Sequence, residues 1–453
     1  MNNTALQLSN PLSKYFSVRL CAAISVLLGL LAIHPYVISG VLIILCGYAI
    51  LGPKQFIQAL SLSVVIKYLN PAIYAFPFYS GILFWLVIFC SCIRCISIIS
   101  KKSLKIILPL IYFYILVIAL SVVSANPLIS ILKISAFTFT VAAVLIGYFE
   151  LDENNLSEIT MFFVSLAGSV FLLSIPTFFL PAVGFYRNGK GFQGILNHPQ
   201  AFGTFYAPFA AWLASIFLLK KDKFNIQIQY FFALLMVLIL IILTKTRTAA
   251  LSIAVSLSIT LFLFIFKKNR DKSLANLKRP IVMVSILLVL FTTIAITNID
   301  FICDFVFKGG EKTSIENSFY HSRGKAVELQ WSNFLKHPLT GNGFGVYASG
   351  SFPSDIKTFV GIPISASVEK GIMPTALLEE IGIIGAICFL LFFFSLVKYI
   401  VKHAELQWTA MFLGCFFVNI GEAVFFSVGG IGLFFWLLMG LCLGWAKESD
   451  DTT

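Results

Sequence analysis

Residues 231–266 read FFALLMVLILIILTKTRTAALSIAVSLSITLFLFIF: two apolar runs, Phe231–Leu243 and Ala249–Phe266, joined by a short polar segment. Apolar runs of about 18 to 24 residues, long enough to cross a bilayer as α-helices, recur along the whole chain. The 453 residues are 59% hydrophobic and 11% charged, whereas an average soluble domain is about 25% charged. These features predict an all-α, polytopic membrane protein and exclude a transmembrane β-barrel, whose strands alternate apolar and polar residues.

Hydropathy predicts about 12 to 14 transmembrane helices, together with one long loop that contains an amphipathic helix. We divide the chain into a helix bundle (1–297), the long loop (298–373), and C-terminal helices with a short tail (374–453). The spans are expected at 16–33, 36–52, 55–70, 78–98, 105–123, 129–149, 157–180, 201–219, 226–243, 248–266, 279–297, 375–398, 406–422 and 424–445.

The net charge of +12 is spread over basic clusters between the apolar runs. Short loops rich in Lys and Arg mark the cytoplasmic side of a membrane protein. We therefore expect both termini in the cytoplasm, the lipid bilayer as the surrounding partner, and no nucleic-acid partner. The clusters are Lys101, Lys102 and Lys105; Lys220, Lys221 and Lys223; Lys267, Lys268, Arg270, Lys272, Lys278 and Arg279; and Lys398 and Lys402.

The same threading places four segments on the outer side: the surroundings of Phe76, 181–200, 244–248 and the long loop. Two explanations are open for the basic residues in these segments. Long loops are translocated regardless of their charge, or the basic residues bind an anionic ligand. Lys245 and Arg247 favour the ligand, because ionisable residues near membrane depth are costly and usually functional. The outer cations are Arg187, Lys190, Lys245, Arg247, Lys308, Lys312, Arg323, Lys325, Lys336, Lys357 and Lys370.

Segment 181–200 contains four glycines, which permit tight turns, and ends in Asn197-His198-Pro199 before the next span. Two roles are open for His198: capping the following helix, or contacting a substrate together with Asn197.

In the long loop, Ser322–Leu335 has helical periodicity. Val327, Trp331, Phe334 and Leu335 form one apolar face, which we expect to rest on the membrane surface or on the helix bundle. Arg323 lies four residues before Val327 on that face. It is either a solvated arginine or a phosphate ligand, since a guanidinium binds phosphate oxygens in a bidentate manner.

An ordered set of motifs spans residues 180 to 400: Asn197-His198-Pro199, TKTRTAA at 244–250, Arg323 and Trp331 before KHPLTGNGFG at 336–345, and LLEEIGIIG at 377–385. In this order they resemble the bacterial O-antigen ligase and polysaccharide polymerase superfamily.

The resemblance implies a metal-independent glycosyltransferase without a cofactor, with a fold of the glycosyltransferase-C type, at the periplasmic face of the bacterial inner membrane. The implied donor is an oligosaccharide on undecaprenyl pyrophosphate, held by Arg247 and Arg323, and a chain-length regulator is an implied partner. Ligases carry a histidine about ten residues before the glutamate of the post-loop span, where this chain has Lys370. The polymerase is therefore favoured, and the ligase remains the alternative.

The chemistry also follows from the residues. Displacing a pyrophosphate requires stabilisation of the leaving charge and a base for the acceptor hydroxyl. Without clustered outer carboxylates to hold Mg²⁺, we assign the first task to Arg247 and Arg323, and the second to Glu369. The expected substrate contacts are Arg187, Lys190, Asn197, His198, Lys245, Lys370 and Glu380.

Two further carboxylates have alternative interpretations. Glu380 either orients an arginine or sits favourably at a helix N-terminus. For Glu422, between the two closing spans, a helix-packing hydrogen bond is favoured over catalysis.

A transporter or flippase is the competing class, because it too would have many spans and basic residues. Transporters often contain internal repeats with broken helices in matching halves, and the sequence shows no such repeat. Its cations also cluster on one side rather than at the membrane midplane.

Overall fold

The computed structural model describes residues 15–187, 189–219, 224–267, 324–346, 356–359, 362–366 and 372–451. Among them, seven helices are long and apolar enough to cross a membrane, and four apolar helices of 10–17 residues accompany them. The prediction of a helical, multi-pass membrane protein is confirmed at this level.

The helices follow the predicted spans closely. Every predicted span overlaps a helix, except 279–297, which lies outside the described residues. The helices are α1 (Val18–Leu30), α2 (Pro35–Leu51), α3 (Pro53–Lys67), α4 (Ser80–Ile96), α5 (Lys101–Ser121), α6 (Pro127–Phe149), α7 (Glu153–Phe178), α8 (Pro181–Gly184), α9 (Pro199–Leu219), α10 (Phe224–Thr244), α11 (Arg247–Lys267), α12 (Lys325–Lys336), α13 (Met373–His403), α14 (Leu406–Gly421) and α15 (Gly432–Asp451).

Helix starts follow from local sequence. Proline occupies the first position of α2, α3, α6 and α9, where its fixed φ suits the helix and its missing N–H is not needed. Serine or aspartate caps others: Ser100 accepts the N–H of Ser103 before α5, and Asp152 accepts that of Asn155 before α7. The last span was predicted to begin at 424, but α15 begins at Gly432, after a turn over 422–431.

Segments predicted to be cytoplasmic meet at one end of the bundle. There His403 pairs with Asp450 at 2.9 Å between Nδ1 and Oδ1. Nearby in the chain, Lys447 Nζ donates to the Leu151 carbonyl at 3.1 Å. This end is called the inner end, after the predicted topology.

Segments predicted to lie outside meet at the opposite end, called the outer end. It comprises 68–79, 122–126, 181–198, 243–248, 337–346 and 422–431. Backbone hydrogen bonds join segments that are far apart in the chain: Asn197 to Tyr68 (2.8 Å), Phe192 to Leu243 (3.0 Å) and Ala125 to Asn342 (3.1 Å). The grouping agrees with the predicted threading.

Helix α13 is broken at Gly382, whose φ of 63° is left-handed. Before the break, the Glu379 carbonyl accepts the N–H of Asn342 at 2.8 Å. The carbonyl of Glu380 accepts the N–H of Gly343 at 2.9 Å. After the break, the N–H of Ile383 donates to the Pro338 carbonyl at 2.9 Å. The N–H of Ile384 donates to the Leu339 carbonyl at 3.4 Å. Residues 338–343 thus replace the hydrogen bonds that the break removes from the helix.

This exchange requires glycine on both sides. A Cβ atom at Gly382 would lie 2.3 Å from the Leu339 carbonyl oxygen, and one at Gly341 would lie 2.5 Å from the Glu380 carbonyl. Both residues also have positive φ, 63° and 67° respectively, which L-residues adopt at a cost.

Phe344 anchors the turn that follows. It is 2% exposed and contacts Phe137 of α6 and Phe426 of the 422–431 turn, with ring centroids 5.7 and 5.3 Å apart. The N–H of Phe344 donates to Ser130 Oγ at 2.8 Å. The polar turn 341–345 is therefore part of the folded bundle rather than a free loop.

The rest of the described loop contains one antiparallel strand pair, β1 (Ile356–Phe359) and β2 (Ile362–Ala366), with an irregularity between Lys357 and Thr358. The pair adds a small non-helical element to an otherwise helical fold.

We predict that Gly382→Ala lowers the free energy of unfolding by on the order of 2–4 kcal/mol, because the Cβ atom meets a carbonyl oxygen and the backbone is strained. Thermal unfolding of the purified protein in detergent measures the effect. Gly40→Ala is the matched control: a Cβ atom there has no neighbour within 4 Å. A melting midpoint of Gly382→Ala equal to that of the Gly40 variant would show that the backbone exchange tolerates a side chain.

Candidate functional site

Segment 181–198 is held against the end of α3 by one buried asparagine. Asn70 is fully buried, and its Nδ2 donates to the carbonyls of Val183 and Gly194 at 2.9 and 3.1 Å. An antiparallel bridge between Leu69 and Leu196 extends the contact. The segment therefore returns on itself, so that its two ends lie together over the bundle.

Arg187 and Lys190 lie on the exposed part of this segment. The N–H of Arg187 donates to Gln193 Oε1 at 2.9 Å, which closes the turn between them. Gly191 follows Lys190, and a Cβ atom on it would lie 2.8 Å from the Thr244 carbonyl oxygen. The turn that carries both cations thus ends against the break between α10 and α11.

Asn197 and His198 lead into α9. The His198 Nδ1 atom accepts the N–H of Gln200 at 3.0 Å, which is the capping role, one of the two roles considered for this residue. Asn197 is fixed by its N–H bond to Tyr68, and its Oδ1 is buried without a hydrogen-bond partner among the described residues.

The break between α10 and α11 has a strained backbone at Lys245. Its φ of 56° makes it the one non-glycine residue with positive φ in the described part of the chain. Thr246, the residue after Lys245, fixes this conformation. Its N–H donates to Thr244 Oγ1 and its Oγ1 donates to the Pro199 carbonyl, both at 3.2 Å. Backbone strain of this kind persists where the surroundings enforce it, and it concentrates at functional sites.

As a result, two helix N-termini meet at the outer end. Helix α9 begins at Pro199 and α11 at Arg247, and neither has an acidic residue in its first turn. The positive end of a helix dipole attracts anions, although at α9 Pro199 has no N–H and the N–H of Gln200 is already bonded to His198. Arg247 and Lys245, both half-buried, add positive charge at the same place. This arrangement can bind an anion.

Glu422 contacts both of these helices. Its Oε1 accepts hydrogen bonds from Gln200 Nε2 and Thr248 Oγ1, each at 3.2 Å. A Cβ atom at Gly421 would lie 2.3 Å from Thr248 Cγ2, so the end of α14 presses closely on the start of α11. The expected hydrogen bonds of Glu422 are present, and both partners belong to the candidate site.

Sequence reasoning did not connect Gln200 and Thr248 to this site. The one available signal was the carboxylate of Glu422 between two apolar spans. Its partners lie 222 and 174 residues away in the chain, so only the fold reveals them.

Glu380 serves a different part of the outer end. It is 6% exposed, and its Oε2 accepts the N–H of Gly345 at 2.8 Å, while Lys133 Nζ donates to the Gly345 carbonyl at 2.7 Å. Glu380 lies seven residues after the start of α13 at Met373 and two residues before the break at Gly382, where the second part of the helix begins. Its described contact fixes the turn 341–345.

Helix α12 packs on α13 through polar side chains. Asn333 Nδ2 donates to Glu379 Oε1 at 2.9 Å, and Thr375 donates to Gln330. Of the predicted apolar face, Phe334 is buried, whereas Trp331 and Leu335 are 47% and 60% exposed. The face as a whole therefore does not pack on the bundle, one of the two alternatives predicted for it, because the amide side chains take that contact.

The remaining predicted site residues, Arg323, Glu369 and Lys370, lie outside the described residues. No protein-family model matches this chain, and no curated protein matches it. What the structure brings together is Lys190, Asn197, His198, Lys245 and Arg247 near one pair of helix N-termini, with Glu422 beside them.

We predict that Lys245→Gly stabilises the protein by about 1 kcal/mol, because glycine adopts positive φ without the cost that lysine bears. The same change removes a positive charge, so binding of any anion at this position should weaken. Lys245→Ala is the matched control, since it loses the charge and keeps the strain. Equal melting midpoints for the two variants would contradict the strain at this position.

Proposed function

We propose that this protein transfers a glycan from undecaprenyl pyrophosphate to an acceptor hydroxyl, and that it polymerises repeat units of an O-antigen or exopolysaccharide. The observation that carries the proposal is the convergence of Lys245, Arg247 and the N-termini of α9 and α11 at one end of a membrane-spanning bundle. A polyprenyl chain in the bilayer would bring its pyrophosphate to that depth.

The proposed reaction separates charge, and the positive groups of the candidate site can stabilise the negative charge that develops. As the bond between the anomeric carbon and the pyrophosphate oxygen breaks, negative charge develops on the leaving phosphate. Donors that are already oriented, such as helix N–H groups and a guanidinium, stabilise this charge without reorganisation. Arg247 is the principal ligand in this proposal. Lys245, two residues earlier, and Lys190, next to the glycine that packs on Thr244, are proposed to assist.

The other proposed roles rest on sequence. Arg323 is proposed as the second pyrophosphate ligand, Glu369 as the base, and Arg187 and Lys370 as substrate contacts. The position of Lys370, where the resembling ligases have histidine, favours polymerisation over ligation to lipid A core. The reaction is proposed for the periplasmic face of the bacterial inner membrane, with both termini in the cytoplasm.

Helix α13 gives a physical argument against the transporter alternative. Broken helices in transporters offer free carbonyls and N–H groups to ions and substrates near the midplane. Here the carbonyls before the Gly382 break accept N–H groups from residues 342 and 343, and the N–H groups after it are bonded to carbonyls of 338 and 339. A break whose backbone groups are already paired favours a structural role.

We predict that Arg247→Ala and Arg323→Ala each reduce glycan transfer by at least about 100-fold, because a main stabiliser of the leaving charge is lost. Transfer is measured in membranes supplied with lipid-linked glycan extracted from a strain lacking this protein. Lys336→Ala, which removes an exposed cation from the last turn of α12, should retain transfer. Wild-type transfer by the Arg247 variant at normal membrane levels would remove the pyrophosphate-binding role.

A deletion strain separates the two glycan reactions. A polymerase predicts loss of the length ladder of the surface polysaccharide on a gel, with a single repeat unit still attached to its acceptor. A ligase predicts long chains that accumulate on the undecaprenyl carrier. An unchanged profile would contradict both and would favour transport.

A further inference from the structure

The described carboxylates of the outer end and of the adjoining parts of α12 and α13 differ in what they can do. Glu379 and Glu380 are 2% and 6% exposed, and their oxygens hold Asn333 and the N–H of Gly345. Glu328 is exposed in the first turn of α12. Glu422 is half-buried and lies against the residue that follows Arg247.

We propose that Glu422 is the general base that accepts the proton of the acceptor hydroxyl. The inference rests on the proposed function and names a catalytic residue that the sequence interpretation had assigned to helix packing. It competes with Glu369, the base proposed from the sequence, for the same task.

Geometry supports this assignment. Gln200 and Thr248 donate to the same oxygen, Oε1, and these two bonds fix the orientation of the carboxylate. The two donors belong to the first turns of α9 and α11, the helices whose N-termini form the anion site. A base fixed to those turns keeps a constant position relative to the pyrophosphate, as a proton transfer within hydrogen-bond reach requires.

The backbone around Glu422 restricts its movement as well. Helix α14 ends at Gly421, and Glu422 has the extended conformation of its C-cap. The glycine permits close contact with Thr248, and the Glu422 carbonyl accepts the N–H of Val424 at 2.7 Å. Glu422 is therefore held by hydrogen bonds to both its backbone and its side chain.

The proposed step balances. The acceptor O–H bond breaks and its proton moves to a Glu422 oxygen, while the hydroxyl oxygen forms a bond to the anomeric carbon. The bond from that carbon to the pyrophosphate oxygen breaks, and its electron pair stays on the pyrophosphate. Arg247 and Lys245 stabilise that charge. Undecaprenyl pyrophosphate leaves, and the proton on Glu422 passes to solvent.

Glu422→Gln tests the base. The glutamine amide oxygen can still accept from Gln200 and Thr248, so folding should be preserved, but the amide cannot take a proton. Transfer from extracted lipid-linked glycan should fall by about 10² to 10⁴-fold. The melting midpoint should remain at the wild-type value, and binding of inorganic pyrophosphate should not weaken, because the change removes a negative charge beside the anion site. Glu422→Asp should recover part of the transfer, and Glu328→Gln is the matched outer-end control with wild-type transfer.

The pH dependence separates a base from a structural residue. In the wild-type protein, kcat/KM should fall on the acidic side as the base is protonated, and Glu422→Gln should lose that limb in its residual activity. Normal transfer by Glu422→Gln, together with inactive Glu369→Gln, would overturn the inference and assign the base to Glu369. A loss of pyrophosphate binding or of the folded protein in Glu422→Gln would also overturn it, in favour of a structural role.

The same set distinguishes the two levels of proposal. If Arg247→Ala loses pyrophosphate binding and Glu422→Gln transfers normally, the proposed function stands and the base assignment fails. If Arg247→Ala binds pyrophosphate and transfers glycan as the wild type does, both the proposed function and the base assignment fail.

Discussion

Within an apolar bundle, a backbone group that leaves its helix must find another partner, because burying it unpaired costs several kcal/mol. The break of α13 at Gly382 meets this constraint by exchanging hydrogen bonds with residues 338–343. The turn 341–345 is consequently folded into the bundle, where Phe344 packs between Phe137 and Phe426. Residues 338–345 of the long loop are thus tied to α6, to α13 and to the 422–431 turn.

The 422–431 turn connects this structural region to the candidate site. Phe426 contacts Phe344, which closes the turn 341–345, and Glu422 accepts hydrogen bonds from α9 and α11. The 422–431 turn therefore contacts both the turn 341–345 and the candidate site at α9 and α11.

The candidate site obtains its charge from cations and backbone rather than from a metal ion in the proposed mechanism. The N-termini of α9 and α11 converge because Thr246 bonds to Pro199 and because glycines at 191 and 203 allow close approach. Lys245 bears a backbone strain at the centre of this contact. Positive charge and strain thus coincide at the one break between two apolar helices that hydropathy had marked as unusual.

The sequence by itself determined the helical class and the approximate positions of most described helices, and it predicted the grouping of polar segments at two ends, since hydrophobic length and basic loops are local properties of the chain. It also singled out Lys245, Arg247 and His198. The tertiary structure decided that α12 docks through Asn333 and Gln330, that Glu380 secures a turn, and that Glu422 joins the site. These contacts link residues 35 to 222 positions apart, and a hydrogen bond between distant side chains leaves no periodic trace in the sequence.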